Sequence, residues 1–349
     1  MPLRKRKKAQ KMLRDGISNA ALFVKQGGLV AFPTETVYGL GGDALNPSTV
    51  EKIYAAKGRP ADNPLIVHIA RADDFWQLNL GAPDYVKHLI QEFWPGPLTL
   101  VAAKNPDLPK WVGVHPSKEA DTIAIRMPSH PVALELITLS GCFIAAPSAN
   151  KSGRPSPTAS EHVTHDFPED LNIIVLEAGP TTVGLESTVL DITGETPIIL
   201  RPGFVTQEEI EHTAQRRAKY KVAAKNNTPR SPGTKYKHYA PRAPLTILVG
   251  SHANIAGFLT QETKNPGLGA LVTPITYDLL PEYVLTDASI ICSGSAADVF
   301  AKNLYADFRK FDSLKEVNRI FAECMPFEGI GVAIMDRMDK AAEGRIVIV

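Results

Sequence analysis

Cysteine is scarce in this 349-residue chain: Cys142, Cys292 and Cys324 lie far apart and form no CxxC pair. An odd, scattered set excludes a disulfide framework and a thiolate zinc site and leaves three ordinary thiols. Long apolar runs are missing too. No stretch of about 18 apolar residues occurs, so no membrane-spanning helix is predicted. The basic residues near the start (Arg4, Lys5, Arg6, Lys7, Lys8, Lys11, Arg14) are not followed by an apolar stretch of signal-sequence length. A cytoplasmic protein is the expectation. The phosphate-loop pattern GxxxxGK[ST] and the nucleophile elbow GxSxG are both absent. Gly39–Ala44 matches GxGxxA formally, but Pro33 to Tyr38 separate it from the preceding strand run, so the tight strand-to-helix turn of a dinucleotide site is missing. A nicotinamide-dependent oxidoreductase therefore has little support. His162 and His165 stand at HxxH spacing without a third ligand nearby, which reads as a polar helix face rather than a metal pair.

What is present is a soluble, core-forming composition, 44% hydrophobic and 21% charged, at a length that favours two domains. The net charge of +1 conceals an asymmetry. Residues 1–14 hold seven bases and no acid, leaving 31 bases against 37 acids in the rest. A second basic run, Arg216 to Arg242, holds nine Lys and Arg and no acid, and such a stretch seeks a phosphate or an acidic surface unless it is only a solvated linker.

Short apolar runs alternate with helical stretches over residues 15–205, which predicts an α/β sheet. Strands are expected at Leu29–Phe32, Leu65–Ile69, Leu98–Ala102, Thr122–Arg126, Phe143–Ala146, Ile173–Leu176, Val189–Ile192 and Ile198–Arg201. Ser48 with Glu51 reads as a capping box for a helix that runs to Lys57 and stops at Gly58 and Pro60; Thr206 with Glu209 is a second such pattern. Residues 219–243, rich in Asn, Pro, Ser and Gly, break both helix and strand and read as a linker. Beyond it a smaller α/β domain is expected, with strands at Leu245–Val249, Ala270–Thr273, Ser289–Ile291, Gly331–Met335 and Ile346–Val349. Its best helix, Ala296 to Phe311, is amphipathic through Val299, Phe300, Leu304, Phe308 and Phe311.

The chemistry-bearing residues gather at the ends of the strand runs. Thr34, Glu35, Thr36 and Tyr38 follow the first strand, and Lys57 and Arg59 sit at what reads as an exposed helix exit, a pair suited to phosphates. Asn63 leads into a strand that ends at His68. Ser148 and Asn150 follow another, in a run of small residues that lets backbone approach a ligand. Gly184–Thr188 precedes a strand and Arg201 ends one. A capped turn or a helix end explains each loop equally well alone. Together, on one sheet, Lys57, Arg59, Arg126 and Arg201 would make a single basic concave face.

These segments also carry a resemblance. PTETVYGL, KGRP with NPLIVH, FWPGPLTL, IAIRMPSHP, AAPSAN, GLESTV and LRPG, in this order, resemble the threonylcarbamoyl-AMP synthase family. GTKYKHYAP at Gly233–Pro241 and the second domain are similar to its long form. The resemblance implies a YrdC-like twisted mixed sheet over residues 15–205, a linker or lid over 206–243, and a smaller Rossmann-like α/β domain over 244–349. It implies an enzyme joining L-threonine, bicarbonate and ATP, with Mg²⁺, into threonylcarbamoyl-adenylate and pyrophosphate. The product would pass to the machinery that modifies ANN-decoding tRNA, which makes tRNA an indirect partner and leaves direct contact with it open, with no role for a membrane. By position, Thr34, His68, Arg126 and Ser187 would hold threonine, with Arg126 on its carboxylate. Lys57 and Arg59 would be catalytic, and with Asn63, Thr122, Ala146, Ser148, Asn150, Ser156, Arg201 and Tyr236 would bind ATP; no protein side chain is assigned to the metal. The basic residues 4–14 lie outside the family pattern. The competing reading is an RNA-binding module whose basic surface grips a backbone without chemistry, with steep salt dependence and no need for threonine.

Overall fold

The computed structural model describes residues 3–167, 172–221, 239–294 and 296–349. Packing divides the chain into two units, and the division is not a single cut. The first takes residues 1–152, 157–182 and 186–235; the second takes 236–349 together with the short segments 153–156 and 183–185.

The first unit is a ten-stranded mixed sheet. Its strands are β1 (Leu29–Pro33), β2 (Tyr38–Asp43), β3 (Ile66–His68), β4 (Leu98–Ala103), β5 (Thr122–Arg126), β6 (Ile144–Ala145), β7 (Ile173–Val175), β8 (Thr188–Asp191), β9 (Ile198–Arg201) and β10 (Lys219–Tyr220). Their order is β10-β9-β8-β4-β5-β3-β6-β2-β1-β7. Alternation sorts the side chains. Ala31, Leu40, Val67, Leu100, Ile125 and Ala145 enter the larger core beneath α2 (Pro47–Lys57) and α4 (Tyr85–Phe93). On the opposite face Val30, Phe32, Ile144 and Ala146 pack against α1 (Leu3–Lys25) and α5 (Pro131–Ser140). Further along that face Ile66, Val101, Ala124 and Val189 form a small cluster of their own.

Several expectations are corrected here. The strand β2 is absent from the runs expected as strands, and glycine fills three of its six positions. A Cβ on Gly41 would stand 2.7 Å from Ile144 Cγ2, and one on Gly42 2.4 Å from Thr49 Cγ2, so these glycines admit close neighbours rather than a turn. Helix α1 was not foreseen in the basic N-terminal run; its buried stripe Ile17, Ala20, Ala21 and Val24 has helical spacing. The cap of α2 is Asn46, whose side chain accepts from the backbone of Ser48 and Thr49, with Pro47 at the first helical position; Ser48 is not the cap. Thr206 and Glu209 do form their capping box, on α7 (Gln207–Ala214). Lys219 and Tyr220, assigned to the linker, pair in parallel with β9.

The second unit is a five-stranded sheet in which every pairing is parallel, order β13-β12-β14-β11-β15. The strands are β11 (Leu245–Val249), β12 (Leu268–Val272), β13 (Ser289–Cys292), β14 (Arg319–Glu323) and β15 (Ile346–Ile348). The run Gly331–Met335, expected as a strand, lies in helix α12 (Ile330–Ala342). Ile334, Met338 and Ala341 are buried there at helical spacing, and β14, unforeseen, takes the central place in the sheet. Helix α11 (Ala297–Ser313) buries Phe300, Leu304, Phe308 and Phe311 as its amphipathicity predicts, whereas Val299 is exposed.

Candidate active site

Register places the polar residues of the first unit in rows. Parallel pairing sets His68 beside Arg126, and antiparallel pairing sets His68 beside Ile144. Antiparallel pairing of Leu100 with Ile125 puts Thr99 next to Arg126, and parallel pairing of Leu98 with Thr188 brings Ser187 to the same sheet edge. Thr99 Oγ1 and Ser187 Oγ are 2.7 Å apart. Arg201 Nη2 donates to Ser187 O at 2.9 Å and to Ser187 Oγ at 3.2 Å. His68, Arg126, Ser187 and Arg201 thus end at one edge, all buried.

The loop after β1 closes over Arg126. Its guanidinium donates from Nη2 to Glu35 Oε1 at 2.6 Å, from Nη1 to Thr36 Oγ1 at 2.9 Å and from Nε to Gly96 O at 3.3 Å. Ser129 N donates to the other carboxylate oxygen of Glu35 at 3.1 Å. Thr34 serves its own turn: its hydroxyl lies 2.6 Å from Val37 O and accepts from the backbone of Thr36 and Val37, both at 3.2 Å. It is therefore Thr36, not Thr34, that reaches Arg126. His68 has 4% exposure and its Nδ1 has no hydrogen-bond partner. Burial, reinforced by the Arg126 charge, pushes the imidazole down to about 3, so the ring is neutral.

The second cluster surrounds the end of α2. Gly58, at φ 61°, closes the helix in the left-handed region. Lys57 is not at an exposed exit, as the sequence suggested; it is 2% exposed and its Nζ donates to the carbonyls of Ser148 and Asn150. Arg59 is half-buried and holds the chain ahead of β3, donating to Asn63 O at 3.0 Å, Asn63 Oδ1 at 2.8 Å and Pro64 O at 2.6 Å. Ser148 bridges Gly39, which fixes the loop after β6 against β2. Between the clusters lie Ala124, Ile66 and Ala146: Ala124 pairs with Ile66, and Ala146 N donates to Ile66 O at 3.0 Å. Thr122 shares a face of β5 with Ala124 and Arg126 and stands four residues from Arg126, about 13 Å along the strand. One face thus offers an arginine-and-hydroxyl end, a small-residue middle, and a lysine-held loop. Ser156 is buried and belongs to the segment 153–156 of the second unit. Tyr236 lies outside the described residues.

The family pattern described as telomere recombination matches residues 22–203, and that of the threonylcarbamoyl-AMP synthase C-terminal domain matches residues 205–343. The threonylcarbamoyl-AMP synthase of Bacillus subtilis is 46% identical over 336 residues, covering 95% of this chain and 94% of its own. The chain belongs to the threonylcarbamoyl-AMP synthase family. Another threonylcarbamoyl-AMP synthase, from Pyrococcus abyssi, is 41% identical, covering 94% of each chain. A crystal structure of P. abyssi Sua5 complexed with L-threonine superposes with a TM-score of 0.85 at 40% identity, covering 95% of this chain and 96% of that one. Like its relatives in the threonylcarbamoyl-AMP synthase family, the chain is an enzyme of the nucleotidyltransferase type, and nothing in these likenesses favours a non-catalytic RNA-binding module.

Sequence reasoning passed over three residues of this site. Glu35 and Thr36 were noted in their loop but assigned no role, although this carboxylate and hydroxyl, three and two residues ahead of Tyr38, are the groups that engage Arg126. Thr99 was read as an ordinary strand residue. Its signal was a buried position on the face shared with Val101, legible once β4 was set beside β5.

Proposed function

We propose that the enzyme condenses L-threonine, bicarbonate and ATP to threonylcarbamoyl-adenylate and pyrophosphate. The observation that carries this reading is the neutral His68, its Nδ1 buried without a partner, beside an arginine whose guanidinium still has donors to offer. A guanidinium has five N–H groups, and the three bonds of Arg126 to Glu35, Thr36 and Gly96 leave two for a carboxylate. In this reading Arg126 takes the threonine carboxylate, neutral His68 and the Ser187 hydroxyl take its polar groups, and Thr34 shapes the turn that presents Thr36. The small residues Ala124 and Ala146 and the hydroxyl of Thr122 line the path toward the nucleotide.

Bicarbonate yields carbon dioxide by losing hydroxide; threonine's neutral amine adds to it and loses a proton to give a carbamate, so that one water is released. A carbamate oxygen then attacks the α-phosphorus of ATP as the bond to pyrophosphate breaks. This step needs orientation of two anions and neutralisation of developing charge more than a strong base. Arg201 and Arg59 supply cations toward the phosphates. Lys57 acts on the nucleotide through the Ser148–Asn150 loop, whose carbonyls it pins. Among the described residues no group of three or more His, Cys, Asp or Glu is placed to hold a metal ion. Mg²⁺ binds through one or two carboxylates together with substrate phosphates and water, so it fits here as an ion that arrives on ATP. When bound it would neutralise phosphate charge. The adenylate would pass to the enzymes that modify tRNA. No helix among the described residues is long and apolar enough to cross a membrane.

Incubation with ATP, L-threonine and bicarbonate, omitting each in turn, tests the reaction. Pyrophosphate and AMP-containing product should form only with all three; ADP and orthophosphate as main products would refute it.

A further inference from the structure

The residues Met127 to His130 join β5 to α5, running from Arg126 at the strand end to the first turn of the helix. Three of them are bonded in ways that bear on the site. Met127 O accepts from Gly96 N at 2.8 Å, and Gly96 O in turn accepts from Arg126 Nε at 3.3 Å. Ser129 N donates to one carboxylate oxygen of Glu35 at 3.1 Å, while the other oxygen takes Arg126 Nη2. His130 caps α5: its Nδ1 accepts from Val132 N at 3.2 Å, with Pro131 at the first helical position.

A histidine is an uncommon cap. Ser, Thr, Asp and Asn accept from a helix N-terminus throughout the neutral range, whereas imidazole accepts there only through an unprotonated nitrogen. The bond from Val132 N therefore puts the ring proton on Nε2 and requires the neutral form. A second proton, on Nδ1, would set two donors against each other and release the cap. The ring is half-buried, and burial holds its pKa below the ordinary 6.5 against the pull of the Glu35 carboxylate. Among the described residues Glu35 is the charged group that faces it from the loop after β1. From α1, packed along α5, Arg14 pairs with Glu135 at 3.4 Å.

We infer that His130 is a positioning residue for threonine: its neutral ring holds the β5–α5 connection so that Ser129 fixes Glu35, and Glu35 fixes the Arg126 guanidinium, in the orientation that takes the threonine carboxylate. The inference rests on the reading of Arg126 as the carboxylate site. Protonation of His130 acts twice on this chain of contacts. It frees the first turn of α5 next to Ser129, and it puts a second cation near Glu35 to compete with Arg126. Threonine therefore binds the neutral-ring protein more tightly, and by reciprocity bound threonine makes the ring harder to protonate.

The test uses the full chain. Calorimetric titration with L-threonine alone, at about pH 7.5 and about pH 5, gives the Kd on either side of the histidine range without turnover. His68, held down to about 3, stays neutral at both. The wild type should bind threonine about fivefold more weakly at the lower pH, the typical cost of a lost helix cap read as an equilibrium constant. His130→Ala should show about that weakening at both pH values, and His130→Asn, which caps without titrating, should restore tight binding with less than about twofold change between them. In side-chain NMR of the wild type, added threonine should lower the pH at which His130 takes up its second proton. A His130→Ala variant with a lowered Tm and the wild-type threonine Kd would make the cap purely structural and overturn the inference. So would a His130→Asn variant that keeps the wild-type pH dependence. If His130→Ala does not fold, His130→Asn against wild type carries the test. Failure of the wild type to bind threonine at either pH would refute the Arg126 reading and the inference with it, whereas tight binding independent of pH overturns the inference alone.

Discussion

Glu35→Gln separates a structural ion pair from a substrate-binding arginine. The Glu35 and Arg126 side chains are 8% and 4% exposed and 2.6 Å apart. Removing one partner of a buried pair costs about 3–5 kcal/mol, because the other charge is left uncompensated. Glutamine keeps an oxygen for Arg126 but cannot accept from Ser129 N through its amide nitrogen, so a loss near 3 kcal/mol is expected, at the low end of that range. For a unit of roughly 200 residues, 1 kcal/mol shifts Tm by about 2–4 °C, giving a fall of about 6–12 °C. L-threonine then makes the discrimination. At about 100 times its Kd a ligand stabilises the folded state by about 2.7 kcal/mol. In the variant the threonine carboxylate becomes the one anion facing Arg126, so threonine should raise Tm more in Glu35→Gln than in the wild type. Thermal unfolding with and without threonine measures both. A Tm within about 2 °C of wild type would refute the energetic argument; a smaller threonine shift in the variant would remove Arg126 from the carboxylate site.

Arg126→Lys keeps the charge but loses the fork, and should raise the threonine KM with little change in that for ATP; an unchanged threonine KM would argue against the assignment. Lys57→Ala should cost activity and also stability, by about 1–3 kcal/mol for the buried contacts to Ser148 O and Asn150 O that it removes, so a variant with normal Tm would contradict the buried geometry. His68, held down to about 3 against an ordinary 6.5, stays neutral when folded while the unfolded chain takes up a proton below 6.5. Its contribution is present above about 6.5 and lost as pH falls toward 3, with a slope of up to about 1.4 kcal/mol per pH unit. His68→Gln should flatten the stability curve in that window, and identical curves would exclude it. Of the stretch 219–243 expected as a linker, Lys219 and Tyr220 pair with β9 and Tyr239 and Ala240 are buried; the basic, chain-breaking sequence between them should be cut by protease in the free protein and protected by ATP, Mg²⁺ and threonine, and identical digestion in both states would make it a tether only.

The sequence by itself determined the α/β class, eight of the strands of the first sheet, and the strand-end positions of His68, Arg126, Ser187 and Arg201, because short apolar runs and the chain-breaking residues that bound them are written locally. Motif order also determined the family. It misread what depends on partners distant in the chain. Gly39–Asp43 is a strand because Ile144, Ala145 and Thr49 press on it, a fact that glycine propensity conceals. Gly331–Met335 is a helix because a five-residue apolar run has no period of its own until Met338 and Ala341 extend it. Lys57 looked like a helix-end cation, and only the fold of the loop after β6 supplies the two carbonyls that bury it. The same holds for Arg126, whose pairing with Glu35 spans 91 positions. Spacing rules reach a few residues along a helix or strand; which charges meet is decided when the sheet brings its edges together.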